Sequence, residues 1–199
     1  MRQCLLYDSP EPGARLIGVE YMISPALYAT LDQEERRLWH SHVFEVKSGM
    51  LVMPQPSALV PQAAWEQAET TEMEQVIRLY GKVYHLWQVD KGHKLPLGEP
   101  QLMTSITAAD QIPELDKMMD ARDEQFPGTD WRKKKELREH IPEPKIHPGS
   151  FSIFVNSSGA VHTDSCFDRR RLCVEKMIEQ THNKSRAVGC KCPAVSAAM

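Results

Sequence analysis

Apolar and polar residues alternate in two short segments near the amino end of the chain. Residues 3–7 predict one strand, and Leu16–Ile23, which is rich in β-branched and aromatic side chains, predicts a second. Residues 8–13, which contain two prolines and a glycine, predict a turn between them. We therefore expect a β-hairpin, in which Glu20 lies on the face opposite to the main apolar positions of its strand.

Helix-start signals follow in three places. Ser24 before Pro25 is typical of an N-cap followed by a proline at the first helical position. Asp32 predicts the N-cap of a second short helix. Residues 71–74 have the pattern of a capping box, and Gly81 is typical of the end of the helix that would follow.

Strand-like and helical segments mix without the regular alternation that parallel sheets require. Further strands are predicted at residues 83–89 and 101–107, and the links between strands are short. We expect an α+β fold, consisting of a mainly antiparallel sheet with helices packed on one face. From residue 108 to residue 140 the sequence predicts helices that are rich in charged residues. The expected organisation is a single domain at residues 1–148, followed by a divergent, poorly patterned tail at residues 149–199.

Two histidines one residue apart, His40 and His42, begin the most distinctive stretch of the chain. Residues 43–53, which follow them, predict two short strands around a serine-glycine turn. Side chains two apart in an extended chain point to the same face, so we expect the two imidazoles to lie side by side. A third histidine, His85, lies in a later strand-like segment. Pairing of the two segments in one sheet would bring the three imidazoles together.

These histidines and the carboxylates near them offer donors that zinc, iron, manganese or copper accept. The expected metal ligands are His40, His42, His85 and Glu45, with Glu20 as a further candidate. The cofactor would then be a transition-metal ion, and the set resembles the ligands of cupin barrels. In a continuous strand Glu45 would face away from both histidines, so a bulge or a strand starting after His42 would be required. The alternative is that the histidines satisfy core hydrogen bonds near Trp39 and Trp87.

Composition narrows the possible function classes. The 199-residue chain has a formal net charge of −3, which gives no global positive field to recruit nucleic acid. No apolar run approaches the roughly 18 residues that a transmembrane helix needs, and residues 1–8 turn polar too early for a signal peptide. Most of the cysteines lie after residue 165, which favours a reducing compartment, so we expect a cytoplasmic protein. A weaker zinc candidate in the tail consists of Cys173, His182, Cys190 and Cys192.

Several blocks of this sequence resemble the oil body-associated protein family, which is found in plants, fungi and bacteria and was long catalogued as a domain of unknown function. The matching blocks are Leu38-Trp39-His40-Ser41-His42, His85-Leu86-Trp87-Gln88-Val89-Asp90 and residues 3–8, 14–21, 45–49, 80–82, 95–98 and 100–103. They occur in order between about residue 2 and about residue 147. Two departures stand out. Family members usually begin earlier, with a histidine-containing segment that would leave a shared site incomplete here, and the pattern is lost from about Gly149.

The resemblance implies a cytosolic protein that associates with oil bodies in plant seeds and helps to keep them stable. Proteins held in oil bodies by insertion need a long apolar hairpin, and the sequence contains none. The expected attachment is therefore peripheral, to the lipid-droplet surface or to droplet proteins. Candidate surfaces are the helices in residues 25–38 and the basic run at residues 132–135. The alternative roles are ordinary core for the helices and a solvated surface for the basic run, and these are the more common roles of such segments.

The leading prediction is a peripheral lipid-droplet protein, and the resemblance implies no established catalytic activity. The alternative is a small metal-dependent enzyme that uses the His40/His42/His85 cluster, with Glu45 or Glu20 as a further ligand or as the catalytic base. A scaffold or interaction protein is a third option. The sequence contains no phosphate-binding loop and no nucleophile elbow.

Overall fold

An antiparallel sheet forms the centre of the protein, and the α+β fold class is confirmed. The computed structural model describes residues 1–53, 59–103, 105–126 and 128–150. The strands within these ranges are β1 (Arg2–Tyr7), β2 (Leu16–Ile23), β3 (His40–Ser41), β4 (Tyr80–His85) and β5 (Gln101–Met103). The helices are α1 (Pro25–Ala29), α2 (Gln33–Arg36), α3 (Val43–Lys47), α4 (Gln62–Val76), α5 (Leu115–Gln125) and α6 (Trp131–Leu137), with short 3₁₀ turns at Val89–Lys91 and Ala109–Gln111. The zinc candidate of the tail lies outside the described residues, as does the tail itself from residue 151.

The strands are ordered β1-β2-β4, and β3 and β5 both pair with β4. The predicted hairpin of β1 and β2 is confirmed. Because β2 pairs with every residue of β4 along one edge, β3 and β5 share the other edge of β4, one at each end. This register places His40 beside Gly81 and Gln101 beside His85.

The two short helices after the hairpin begin where their N-caps were predicted. The side chain of Ser24 accepts a hydrogen bond from the backbone N–H of Leu27, and that of Asp32 accepts one from Glu35. Tyr28 of α1 then stacks on Tyr80 of β4, with ring centroids 3.9 Å apart. These helices therefore cover one end of the sheet, on the face opposite to Glu20.

The predicted start of the longest helix is wrong. Helix α4 begins at Gln62, and the Thr71 hydroxyl, expected to cap the helix, instead donates to the carbonyl of Gln67 inside it. A capping-box pattern does not start a helix where good helix formers precede it, because these residues extend the helix upstream. The predicted helix end at Gly81 is also wrong, because this residue lies inside β4.

The run after His42 forms helix α3, so the two strands predicted there are wrong. Val43 and Val46 lie three residues apart and are both buried, which is the spacing of a helix. Short apolar runs do not distinguish a strand from a buried helix by their pattern alone. Past the helix end, Gly49 adopts φ 79°, and a Cβ there would overlap with the carbonyl of Trp131.

The two faces of the sheet differ in how far they are covered. On the Glu20 face Cys4, Leu6, Met22 and Val83 are all buried. The opposite face carries four apolar side chains in direct lateral register across β1, β2, β4 and β5. We call these the lateral row: Leu5, Val19, Tyr84 and Leu102. Leu5 and Leu102 at its ends are 40% and 42% exposed.

The basic run at residues 132–135 lies on α6 and is largely paired with carboxylates. Arg132 pairs with Asp120, and Lys133 pairs with Glu66 at 2.6 Å. The third residue of the run, Lys134, is buried with its Nζ 2.5 Å from Glu69 Oε2, although the angles fall outside hydrogen-bond geometry. These pairs join α6 to α4 and α5 and neutralise much of the charge of the run.

Candidate functional site

Three buried side chains from three different segments meet beside β4. Glu20 comes from β2, His40 from β3, and His42 from the position just before α3. Their potential ligand atoms all lie within 4.8 Å of one another. The register explains the meeting, because Glu20 is the partner of Val83 and His40 is the partner of Gly81, on opposite edges of β4.

One carboxylate oxygen lies at the centre of this cluster. Oε1 of Glu20 is 3.2 Å from Nε2 of His40 and 3.2 Å from Nε2 of His42. The two imidazole rings are tilted by 55° and their centroids are 5.0 Å apart. The three side chains are each at most 2% exposed, so the cluster is closed to bulk solvent.

Gly81 provides the space in which the cluster sits. A Cβ at this position would overlap with Oε1 of Glu20 and would lie 2.7 Å from Nε2 of His40 and 2.8 Å from Cε1 of His42. Any larger residue at position 81 would thus displace all three side chains. A glycine inside a strand often marks such a close approach.

Hydrogen bonds outside the cluster set the orientation of only one ring. Nδ1 of His42 is 3.0 Å from the carbonyl oxygen of Leu79, and because a carbonyl only accepts, Nδ1 is the donor. Nδ1 of His40 is buried and has no hydrogen-bond partner among the residues that the structure describes. His42 is therefore held with Nε2 facing Glu20, whereas His40 has only its contacts inside the cluster.

The charges of the cluster are strongly coupled. Burial alone would raise the pKa of Glu20, but hydrogen bonds to His40 and His42 outweigh it and lower this pKa to about 2. Burial alone would lower the pKa of His42, but the hydrogen bond and the negative charge of Glu20 raise it to about 10. In the absence of another cation, the cluster is a buried pair of an imidazolium and a carboxylate.

Glu45 lies near the cluster because the chain turns into α3 directly after His42. This helix provides the change of direction that a continuous strand lacks. Burial raises the pKa of Glu45, while the two histidines act electrostatically to lower it. Ser105 donates a hydrogen bond to its carboxylate. Glu45 is thus a neighbour of the cluster but does not belong to the group of three closely spaced ligand atoms.

His85 lies at the other end of β4 from the cluster. It is paired with Gly18 on one side and Gln101 on the other. It is four positions along the strand from Gly81, a distance of about 13 Å. Burial lowers the pKa of His85, and its polar neighbours are Gln88 and Asp90. The structure therefore brings Glu20, His40 and His42 together and leaves His85 outside their group.

Comparison with known proteins places the chain in a family. A family model described as protein of unknown function (DUF1264) matches residues 1–142. Oil body-associated protein 1B of Arabidopsis thaliana and oil body-associated protein 1A of Zea mays are each 43% identical to the chain over 150 residues. This chain belongs to the oil body-associated protein family. Oil body-associated protein 2C of Arabidopsis thaliana is 39% identical over 148 residues.

The match to the oil body-associated protein family has defined limits. The alignments with the first two relatives cover 74% of this chain and 58% of each relative, so the chain spans little more than half of their length. The family model includes all the residues of the cluster and Gly81. No solved structure matches the chain. Among the described residues, no helix is long and apolar enough to cross a membrane.

Proposed function

We propose that this chain is a peripheral protein of the lipid-droplet surface, acting on the cytoplasmic side without a catalytic role. The observation that carries the proposal is its 43% identity to proteins named for their association with oil bodies. Attachment would then depend on a surface of the folded domain, since a peripheral protein needs an apolar or basic face rather than a membrane-spanning segment.

The lateral row supports an apolar attachment surface. Neighbouring strands lie about 4.8 Å apart, so the four side chains extend over about 14 Å of one sheet face. Leu5 and Leu102, at the two ends, keep two fifths of their surface exposed. Tyr21 lies on the same face and is also partly exposed. A rigid sheet presents these side chains together, with little loss of conformational entropy on contact with lipid.

The two surfaces named from the sequence are less suitable. In the helices at residues 25–38, Tyr28 is buried and Leu31 and Leu38 pack against the same core cluster, which leaves Leu27 as the exposed leucine of α1. The basic run on α6 is engaged by Asp120, Glu66 and Glu69. Neither segment offers an apolar surface as continuous as the lateral row.

Flotation on artificial oil droplets coated with phospholipid tests this proposal. The unmodified chain is expected in the buoyant layer. A Leu5→Ser/Leu102→Ser double variant should lose about 1–2 kcal/mol of binding free energy, or roughly tenfold in partitioning. In the unmodified chain the lipid would cover the exposed two fifths of each leucine, and the variant lacks this apolar surface.

The matched control is the double variant Leu27→Ser/Leu137→Ser. It removes two leucines that are 48% and 38% exposed but lie on α1 and α6. This variant should float as the unmodified chain does. A chain that stays in the aqueous layer would contradict droplet association, and an equal loss in both double variants would contradict the lateral row as the attachment surface.

The rival prediction of a small metal-dependent enzyme finds less support. A catalytic metal keeps a coordination position open to substrate. Glu20, His40 and His42 are almost completely buried, and the carboxyl group of Glu45 is buried beside them. Such a closed arrangement favours a role in holding the fold together over turnover of a substrate.

A further inference from the structure

The contact between His42 and Glu20 requires a proton or a metal ion between Nε2 of His42 and Oε1 of Glu20. Nδ1 of His42 donates to the carbonyl of Leu79, so a neutral imidazole would turn the lone pair of Nε2 toward the carboxylate. Two acceptors 3.2 Å apart repel each other unless a proton or a metal ion lies between them. A histidine whose other ring nitrogen donates to a backbone carbonyl is also the usual arrangement of a metal ligand.

The distances within the cluster fit a metal polyhedron. Nε2 of each histidine is 3.2 Å from Oε1 of Glu20. Ligands bound to zinc at about 2.0–2.1 Å lie about 3.3–3.4 Å apart in a tetrahedron and about 2.8–3.0 Å apart in an octahedron. Both histidine–carboxylate separations fall between these values, and the potential ligand atoms of all three side chains lie within 4.8 Å of one another.

The surroundings of the cluster also suit a divalent cation. Two buried carboxyl groups, Glu20 and Glu45, lie close enough to interact electrostatically with both histidines. A cation held by Glu20 would therefore have a second carboxyl group nearby. Gly81 leaves the space beside the donor atoms unfilled by a side chain.

We propose that Glu20, His40 and His42 bind one divalent transition-metal ion of the zinc type in a closed, structural site. The ion links β2, β3 and the start of α3, the segments that supply its ligands. A site with two imidazole nitrogens and one carboxylate oxygen suits such ions better than it suits calcium or magnesium, whose sites consist mainly of oxygen ligands. Glu45 is the candidate for a further donor. This site is independent of the lateral row, which lies on the opposite face of the sheet.

The test is a titration of the purified full chain, after removal of metal by a chelator, with Zn²⁺ in a calorimeter. The expected result is one tightly bound ion per chain and a rise in unfolding temperature, because an ion at 100 times its Kd stabilises the native state by about 2.7 kcal/mol. Cobalt(II) serves as a second probe, since its visible absorption distinguishes nitrogen and oxygen ligands from thiolates.

Three kinds of variant assign the ion to this site. Glu20→Gln should weaken Zn²⁺ binding by at least about 100-fold, since even partners outside the ligand set account for 10–100-fold. His140→Asn alters an exposed histidine that pairs with Glu74 and should bind as the unmodified chain does. Cys190→Ser/Cys192→Ser should also leave the site intact, which separates it from the cysteines of the tail.

Circular dichroism of each variant separates loss of binding from loss of folding, and His40→Gln replaces Glu20→Gln if the latter does not fold. The absence of Zn²⁺ binding in the unmodified chain would overturn the proposal and leave a proton as the cation of the cluster. Undiminished binding in the folded Glu20→Gln or His40→Gln variant would also overturn it, as would binding lost in the cysteine variant.

Discussion

At the scale of single residues, Glu35 shows how a partly exposed carboxylate positions the candidate site. Its Oε1 accepts a hydrogen bond from Trp39 Nε1 at 2.8 Å and one from Lys82 Nζ at 2.7 Å. Trp39 directly precedes His40, and Lys82 directly follows Gly81. Glu35 therefore joins the two strand ends whose pairing brings the cluster together.

This arrangement predicts a pH dependence for one variant. The hydrogen bond from Lys82 lowers the pKa of Glu35 below its usual 4.5, with burial acting in the opposite direction. A carboxylate whose pKa is lower in the folded state stabilises the protein above its unfolded pKa and loses this effect as the pH falls. Urea unfolding should show Glu35→Gln less stable by about 0.5–1 kcal/mol at neutral pH, and this difference should shrink as the pH falls below 4.5.

Glu34→Gln is the control for this prediction. Glu34 is the neighbour of Glu35 on α2, but its side chain is 79% exposed and pairs with Arg37, three residues along the chain. Its replacement should have little effect at either pH. If the stability difference between Glu35→Gln and the unmodified chain persisted unchanged at low pH, the assigned role of the carboxylate would be wrong.

Single residues also mark the limit of what the sequence could predict about the site. The proximity of His40 and His42 follows from alternation along the chain and needs no tertiary information. The positions of His85 and Gly81 depend on the register between β3 and β4, which two residue pairs determine. Local sequence does not encode that register, so the sequence alone groups His85 with the cluster and predicts a helix end at Gly81.

At the scale of elements, a buried ionic network fastens α4 to the carboxyl-terminal part of the described chain. Glu69 of α4 pairs with Lys134 and with Arg138, whose Nη2 is 3.3 Å from Oε1 of Glu69. Glu69 also accepts the backbone N–H of Met53, and Arg138 donates to the carbonyl of Leu51 at 2.7 Å. Each of the three charged side chains is at most 2% exposed.

Removal of the single anion from this network should be costly. In Glu69→Gln, two buried cations lose the charge that compensates them, and the expected loss in the free energy of unfolding is about 3–5 kcal/mol. Glu66→Gln, one turn earlier on α4, removes the partner of exposed Lys133 and should cost less than about 1 kcal/mol. Similar losses in the two variants, measured by urea unfolding, would contradict the buried network.

Elements with a strong local start signal were predicted well, and those set by tertiary packing were not. The caps at Ser24 and Asp32 fix α1 and α2 from the sequence, because each satisfies backbone donors a few residues away. Helix α3 and the early start of α4 lack such a signal. The sequence predicts their structure from pattern alone, whereas burial against distant parts of the chain determines the structure that forms.

At the scale of the whole molecule, the fold class and the family could be predicted from the sequence, because both depend on many positions at once. The difference between the two faces of the sheet could not be predicted in this way. The lateral row arises only when Leu5, Val19, Tyr84 and Leu102 align across four strands, and these residues are widely separated in the chain. The basic run, prominent in the sequence, has carboxylate partners at three of its positions in the folded protein.

Flotation of the unmodified chain on phospholipid-coated oil droplets over a series of salt concentrations tests the central claim most directly. Apolar attachment through the sheet face predicts a bound fraction that does not fall between about 0.05 and 1 M salt, although the Debye length shrinks from more than 10 Å to about 3 Å. A protein that remains in the aqueous layer at every salt concentration, or one that salt releases, would contradict it.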